Sequence, residues 1–323
     1  MTNIPKSYVG VDISKDYLDI CILPNQDEFR IKNNAAGFKQ LFVKLSSHDV
    51  EQVVCEATGG YENAMIKALR NAKYSIWQVE PGRIKAFIKS KGIRAKTDKI
   101  DAMMIAQFAQ QNKCPHDKPI LSDHQDQLRC LAERRYHFTK MIKAEKTRLQ
   151  QQFEFVQKSL KNHIQYMENE VDEIDKQMMN IITKNNDLNK KAAIMQSIPG
   201  IGNMTASTLL ATMPELGVMT NKQAGSLIGV APITFHSGKK KEVAYTRGGR
   251  GLPRHALYMP ALNACRFNDV FKSFYNRLRE AGKPAKVAII AVMRKIIETI
   301  NAMLKNETKW NPIPLKTIAI NEH

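Results

Sequence analysis

A chain of 323 residues with 43% hydrophobic content can bury a sizeable core and more than one domain, and it contains no run of about 18 apolar residues to span a membrane. The opening "MTNIPKSYVGVDISK" lacks an apolar signal segment, and Cys21, Cys55, Cys114, Cys130 and Cys265 form no CxxC or Cys/His cluster; both argue for free thiols in a cytoplasmic protein and against a zinc site. The formal net charge of +18 is concentrated: residues 191–323 hold 19 basic and 7 acidic side chains, against 18 and 13 in 1–122 and 12 and 11 in 123–190. Such a local excess points to a polyanionic partner, nucleic acid before membrane.

Residues 1–122 read as an α/β domain. "YVGVDIS" and "YLDICILP" are β-rich runs separated by a polar Lys-Asp step, which predicts a hairpin. "VEQVVCEAT" reads as a buried strand, "GGYENAMIKALRNA" as a helix, and "YSIWQVEP" as a further strand ended by Pro81. The pattern predicts a mixed sheet with helices on its faces.

Residues 123–190 change character. Leu160, Ile164, Met167, Val171, Ile174, Met178 and Ile181 follow alternating spacings of 4 and 3, a coiled-coil seam, with Leu149, Phe153 and Val156 leading into it. The 4, 4 step from Val156 through Leu160 to Ile164 is a stutter. Such a seam either dimerises the chain or folds back on itself; pairing between chains is the favoured expectation.

Residues 191–310 read as a second, mainly helical domain, with 311–323 as a tail. "SIPGIGNMTASTLLATM" opens it, and "KPAKVAIIAVMRKIIETINAMLKN" reads as a long amphipathic helix. In "IPGIGNMTA", a glycine-bearing turn around Gly200 and Gly202 exposes backbone N–H groups at the start of a helix. That is the look of a helix-hairpin-helix motif, which holds a DNA phosphate without reading sequence.

Four acids stand out. Asp12 lies inside a hydrophobic strand, where an unpaired carboxylate costs several kcal/mol. Glu56 ends the next candidate strand, just before two glycines. Asp98 and Asp101, three apart, share one face of a helix start. First-turn acids also favour a helix dipole, so either one alone is an ordinary cap. Together the four suit a hard divalent cation, Mg²⁺ or Mn²⁺, and two such ions can clamp a phosphodiester. "GRIKAFIKSKGIRAKTDK" sets Arg83, Lys85, Lys89, Lys91, Arg94, Lys96 and Lys99 beside them as phosphate contacts or a solvated loop. Further on, Ser237 stands in a His-Ser-Gly turn followed by Lys239, Lys240, Lys241, Arg247, Arg250 and Arg254. A serine among cations is a candidate nucleophile; as a bare turn former it would do no chemistry.

In order, "GVDISK", "EATGGYE", "AKTDKIDA", a helical middle, "IPGIG", "GVAP", "SGKK" and "RGGRGLPRHALYMPAL" resemble the DEDD transposases of the insertion sequence 110 family, which includes Piv-type DNA invertases and RNA-guided bridge recombinases. The resemblance covers about residues 7–305. It implies a RuvC-like, RNase H-type N-terminal domain whose Asp12, Glu56, Asp98 and Asp101 hold Mg²⁺, and a C-terminal transposase domain with Ser237 as nucleophile. It further implies donor and target duplex DNA as substrates, a non-coding bridge RNA, dimers assembling into a tetramer, and a bacterial, nucleoid-associated setting. The rival readings are a RuvC-type nuclease or Holliday-junction resolvase that uses water, and a non-catalytic nucleic-acid-binding protein.

Overall fold

The computed structural model describes residues 5–92, 97–114, 123–233, 236–237, 240–241 and 245–312. It forms two compact units, Met1–Ile120 and Leu121–His323.

The first unit is built on a five-stranded sheet. Its strands are β1 (Lys6–Ile13), β2 (Tyr17–Leu23), β3 (Asp27–Lys32), β4 (Asp49–Glu56) and β5 (Ile76–Val79), in the order β3-β2-β1-β4-β5. β1, β2 and β3 pair antiparallel, as the hairpin expectation requires, whereas β1–β4 and β4–β5 are parallel. Parallel neighbours need crossovers, and α1 (Ala35–Leu45) and α2 (Asn63–Asn71) supply them. α3 (Pro81–Ser90) and α4 (Asp98–Gln111) complete the unit.

Alternation along the strands separates two apolar layers. Val9, Val11, Leu18, Ile20 and Val53 pack with Leu41, Leu45, Met65 and Leu69 of α1 and α2. On the opposite face Val54, Trp77 and Val79 pack with Ile84 of α3 and Ile105 and Phe108 of α4, while Cys21 and Leu23 meet Ala102 and Ala106. Gly10 lets α4 come this close: a Cβ there would collide with the backbone of Ala102 and Ala106.

The sequence reading overlooked β3. "DEFRIK" is mostly charged and only Ile31 is buried, as suits an edge strand that discourages further pairing.

In the second unit α5 (Asp123–Leu149) and α6 (Glu154–Lys184) pack against one another as an antiparallel hairpin. Ile164, Met167, Ile174 and Met178 are buried, with Val171 and Ile181 half-buried. The last fully buried position is Ile182, because a straight helix of 3.6 residues per turn drifts off a 3.5 repeat. The earlier part of the expected seam is corrected. Residues 150–153 leave the helix, and Phe153, at 76% exposed, sits in the connecting turn. The reversal lays the α6 stripe on Leu128, Ala132 and Phe138 of its own chain, so the seam is occupied internally.

The same core continues into α7 (Asn186–Gln196), α8 (Asn203–Thr212), α9 (Asn221–Leu227), α10 (Gly251–Phe267), α11 (Asp269–Glu280) and α12 (Ala285–Asn306). α12 buries ten residues, Asn301 among them. The Asn301 amide donates to the Met219 carbonyl and the Asn221 side chain and accepts from the Gly217 N–H, closing the loops ahead of α9. Trp310 packs back onto this core: its ring stacks on Phe271 at 5.4 Å and its backbone N–H donates to Ser197 Oγ. A two-stranded ribbon, β6 (His236–Ser237) with β7 (Lys240–Lys241), precedes α10.

Candidate active site

The sheet brings the acids of the first unit together. Asp12 and Asp19 are register partners across β1 and β2, on the face that carries Gly10 and Cys21 and receives α4. Gly10 pairs with Val54 on β4, so two residues further on Glu56 ends its strand on that same face. α4 begins at Asp98; Thr97 caps it through Ile100 N–H, and Asp98 and Asp101 both lie in its first turn. The first-turn acids therefore complement the helix dipole behind the Thr97 cap and are also neighbours of Asp12.

Electrostatics records that proximity. The Asp12 carboxyl is pushed up to about 6, first by burial, then by the charges of Asp101 and Asp98, with Asp19 adding to them; the Ile13 N–H opposes the shift. Mutual repulsion of this kind is what a divalent cation relieves, and the donors are hard carboxylate oxygens. The chemistry of the set fits Mg²⁺ or Mn²⁺. The set is not closed around one point, however: among the described residues no three acid, histidine or cysteine side chains are placed to hold an ion.

Arg30 explains part of this. From β3 it forms a two-pronged pair with Asp19 at 2.9 Å and also donates to Asp98 Oδ2 at 2.7 Å. The sequence reading missed Asp19 and Arg30. Asp19 carried a usable signal, since it interrupts "YLDICIL" as Asp12 interrupts "YVGVDIS". Arg30 lay in the strand that was overlooked.

Behind Glu56 the turn is tied down. Glu62, 3% exposed, accepts from the Thr58 hydroxyl, the Gly60 N–H and the Gln78 amide. Burial pushes its carboxyl up, but the Thr58 hydroxyl and the backbone N–H groups of Glu62, Gly60 and Thr58 outweigh it and hold it below the usual range. Of the expected phosphate contacts here, Lys99 lines a cavity of about 410 Å³ with Asp19 and Arg30, and Lys96 lies outside the described residues. Arg83 is placed differently from its expectation, 5.1 Å from the Trp77 ring centre, where it covers an aromatic face.

Ser237 belongs to the second unit. It pairs with Lys240 across the β6–β7 ladder, and His236 with Lys241; Lys239 lies outside the described residues. The loop that leads on to α10 is anchored backbone to backbone. A Cβ at Gly249 would strike Gly229, one at Gly229 would strike the Gly248 carbonyl, and the Arg250 N–H donates to Leu227 O. Arg247 is exposed, and Arg254 donates to the Gly248 carbonyl at 2.7 Å. Arg250 departs from its expected phosphate contact: its fork grips Glu215 at 2.6 and 2.8 Å and donates to the Thr212 carbonyl at the end of α8. Gly200 takes φ +97° in the α7–α8 turn, and Gly202 caps α8 without any side-chain acceptor.

A DEDD-type transposase model matches residues 9–157, and a model described as "Transposase IS116/IS110/IS902 family" matches residues 192–276. The chain is 29% identical over 319 residues to the pilin gene-inverting protein of Moraxella bovis, covering 95% of this chain and 98% of the relative. The same protein of Moraxella lacunata matches equally well. An uncharacterized 43.6 kDa protein of insertion element IS110 from Streptomyces coelicolor is 29% identical over 117 residues, 36% of this chain and 29% of that protein.

Proposed function

The chain belongs to the IS110 family of transposases, enzymes that cut and rejoin DNA, and from that premise we propose that it exchanges DNA strands through a seryl–DNA intermediate formed with the help of a metal-holding acid cluster. Asp12, Glu56, Asp98 and Asp101 would hold Mg²⁺ or Mn²⁺. When bound, the ion neutralises charge on the scissile phosphate. The observation that carries the reading is that Asp98 and Asp101, in the first turn of α4, come close enough to Asp12 of β1 for their charges to help push its carboxyl up to about 6. The strand order, an antiparallel β1–β3 meander continued by parallel β4 and β5, supports a RuvC-like, RNase H-type first unit.

The Ser237 oxygen forms a bond to phosphorus and one sugar oxygen leaves. The seryl proton is passed on and the departing oxygen is protonated, so a phosphoserine link and a free hydroxyl result. After strand exchange a hydroxyl attacks the link and releases the serine. One phosphodiester is traded for another, so no nucleotide cofactor is required. Lys240, Arg247 and Arg254, in the most basic part of the chain, supply positive charge to the phosphate; the open start of α8 at Gly202 offers N–H groups to the backbone of bound DNA. Donor and target duplexes, a bridge RNA that pairs with them, and dimers assembling into a tetramer complete the reading, in the bacterial cytoplasm at the nucleoid.

Covalent trapping tests it. Protein, Mg²⁺ and labelled cognate DNA, with the flanking RNA where one is encoded nearby, are combined and resolved on a denaturing gel. A labelled protein–DNA adduct is expected for the wild type and not for Ser237→Ala, Asp12→Ala or Asp101→Ala. Cleavage without an adduct, untouched by Ser237→Ala but abolished by the acid changes, would mean a water-using nuclease.

A further inference from the structure

We propose that the second unit carries a pocket for one unstacked nucleotide of a single-stranded nucleic acid, formed by Tyr136, Tyr258 and His255 together with Arg247, Arg254 and Lys286. The pocket is a cavity of about 500 Å³, within the usual size range of small-ligand sites. α5 contributes Tyr136, the first two turns of α10 contribute Arg254, His255 and Tyr258, and Lys286 comes from the start of α12.

Two features define the ligand. The first is charge. No carboxylate is among the described residues lining the cavity, although cations elsewhere in this unit are neutralised, Arg250 by Glu215 and Arg294 by Glu298. Arg254 is braced by the Gly248 carbonyl, and Arg247 and Lys286 are exposed and have no acid partner among the described residues. A site that keeps its cations away from acids selects an anion. The second feature is aromatic surface. Tyr136 meets His255 edge to face at 5.2 Å, and Lys140 lies 5.5 Å from the centre of the Tyr136 ring. Tyr258, one helical turn beyond His255, is 39% exposed.

Cations beside rings recognise a phosphate attached to a flat base. A paired base shows a protein only its edges, so stacking on Tyr258 requires a base that has left the duplex. This inference rests on the reading that the chain acts on nucleic acid; it needs neither the serine chemistry nor the metal.

The test is fluorescence anisotropy of the full chain, at one fixed salt concentration, with labelled oligo(dT), labelled oligo(U) and a DNA duplex of equal length. Tyr258→Leu should weaken single-strand binding about tenfold, about 1.4 kcal/mol, while duplex binding stays within about twofold. Tyr258→Phe keeps the ring and should bind as the wild type does, which separates stacking from a folding defect. The pair Arg247→Ala and Lys286→Ala should weaken single-strand binding as well. Loss confined to oligo(dT) or to oligo(U) would support the pocket and identify which nucleic acid it serves. An equal loss with Tyr258→Leu on duplex and single strand, or no loss with that variant, would overturn it. Wild-type binding reports separately on the underlying reading: failure to bind any of the three probes would remove nucleic acid altogether.

Discussion

Asp12 shows how much one side chain encloses here. Its carboxyl is half-buried in β1, opposite Asp19 and beneath the first turn of α4, and its folded value of about 6 lies above the 3.8 of a free carboxyl. Between those values the folded state holds the proton more tightly than the unfolded state. Stability from this group is therefore complete below about pH 4 and declines as pH rises through 6. Asp12→Asn should raise the melting temperature at pH 8 by a few degrees, about 1 kcal/mol once partial exposure is allowed for, and give no gain at pH 4. Melting curves at the two pH values check this; an equal shift at both would mean that Asp12 is not strained by its neighbours. That Asp12 mattered was legible in the sequence, because a charge inside "YVGVDIS" demands a reason. The answering charge was not: Arg30 sits eleven residues beyond Asp19 in a strand too polar to stand out, and only strand pairing sets the two side by side.

At the scale of elements, the C-terminal cations separate into two kinds. Arg250 is engaged internally by Glu215, whose side chain is 13% exposed, whereas Arg247 is exposed. Arg250→Ala should cost about 2 kcal/mol of stability, because it removes the two-pronged ion pair from a largely buried carboxylate and the hydrogen bond to the Thr212 carbonyl. It should barely change the salt dependence of DNA binding. Arg247→Ala should do the reverse, lowering the slope of log affinity against log salt by about one. Melting curves and a salt titration distinguish the two, and an unchanged slope for Arg247→Ala would remove it from the interface. Run together as "TRGGRG", the arginines look equivalent in sequence. Periodicity likewise predicted the α6 stripe well from Ile164 onward, yet carried the seam across a turn. Leu149 and Phe153 keep the spacing, but residues 150–153 leave the helix in the reversal that lets α6 pack on α5.

For the whole molecule, each unit has its own core. The sheet layers of the first unit and the helical core of the second share no residue among the described clusters. Calorimetry should therefore resolve two transitions. Arg30→Ala, which strips the partner from nearly buried Asp19, should lower one of them. Asn301→Ala, which leaves the Gly217 N–H and the Met219 carbonyl unmet, should lower the other by about 2 kcal/mol. A single transition moved by both variants would show that the units melt as one.

Composition and order along the chain determined the broad character of this protein. Local charge excess, strand and helix periods, the four acids and the ordered motifs all depend on residues close together in sequence, and they led to the transposase family that the comparisons support. Tertiary structure decided how those residues are used. It brought Asp19 and Arg30 to the acid cluster and turned the α6 stripe inward. It also committed Arg250 to Glu215 and gathered Tyr136, Tyr258 and Lys286 from three helices around one cavity. The division has a physical cause: propensity and periodicity act over a few residues, whereas charge pairing and cavity formation act through space between segments that only the completed fold makes neighbours.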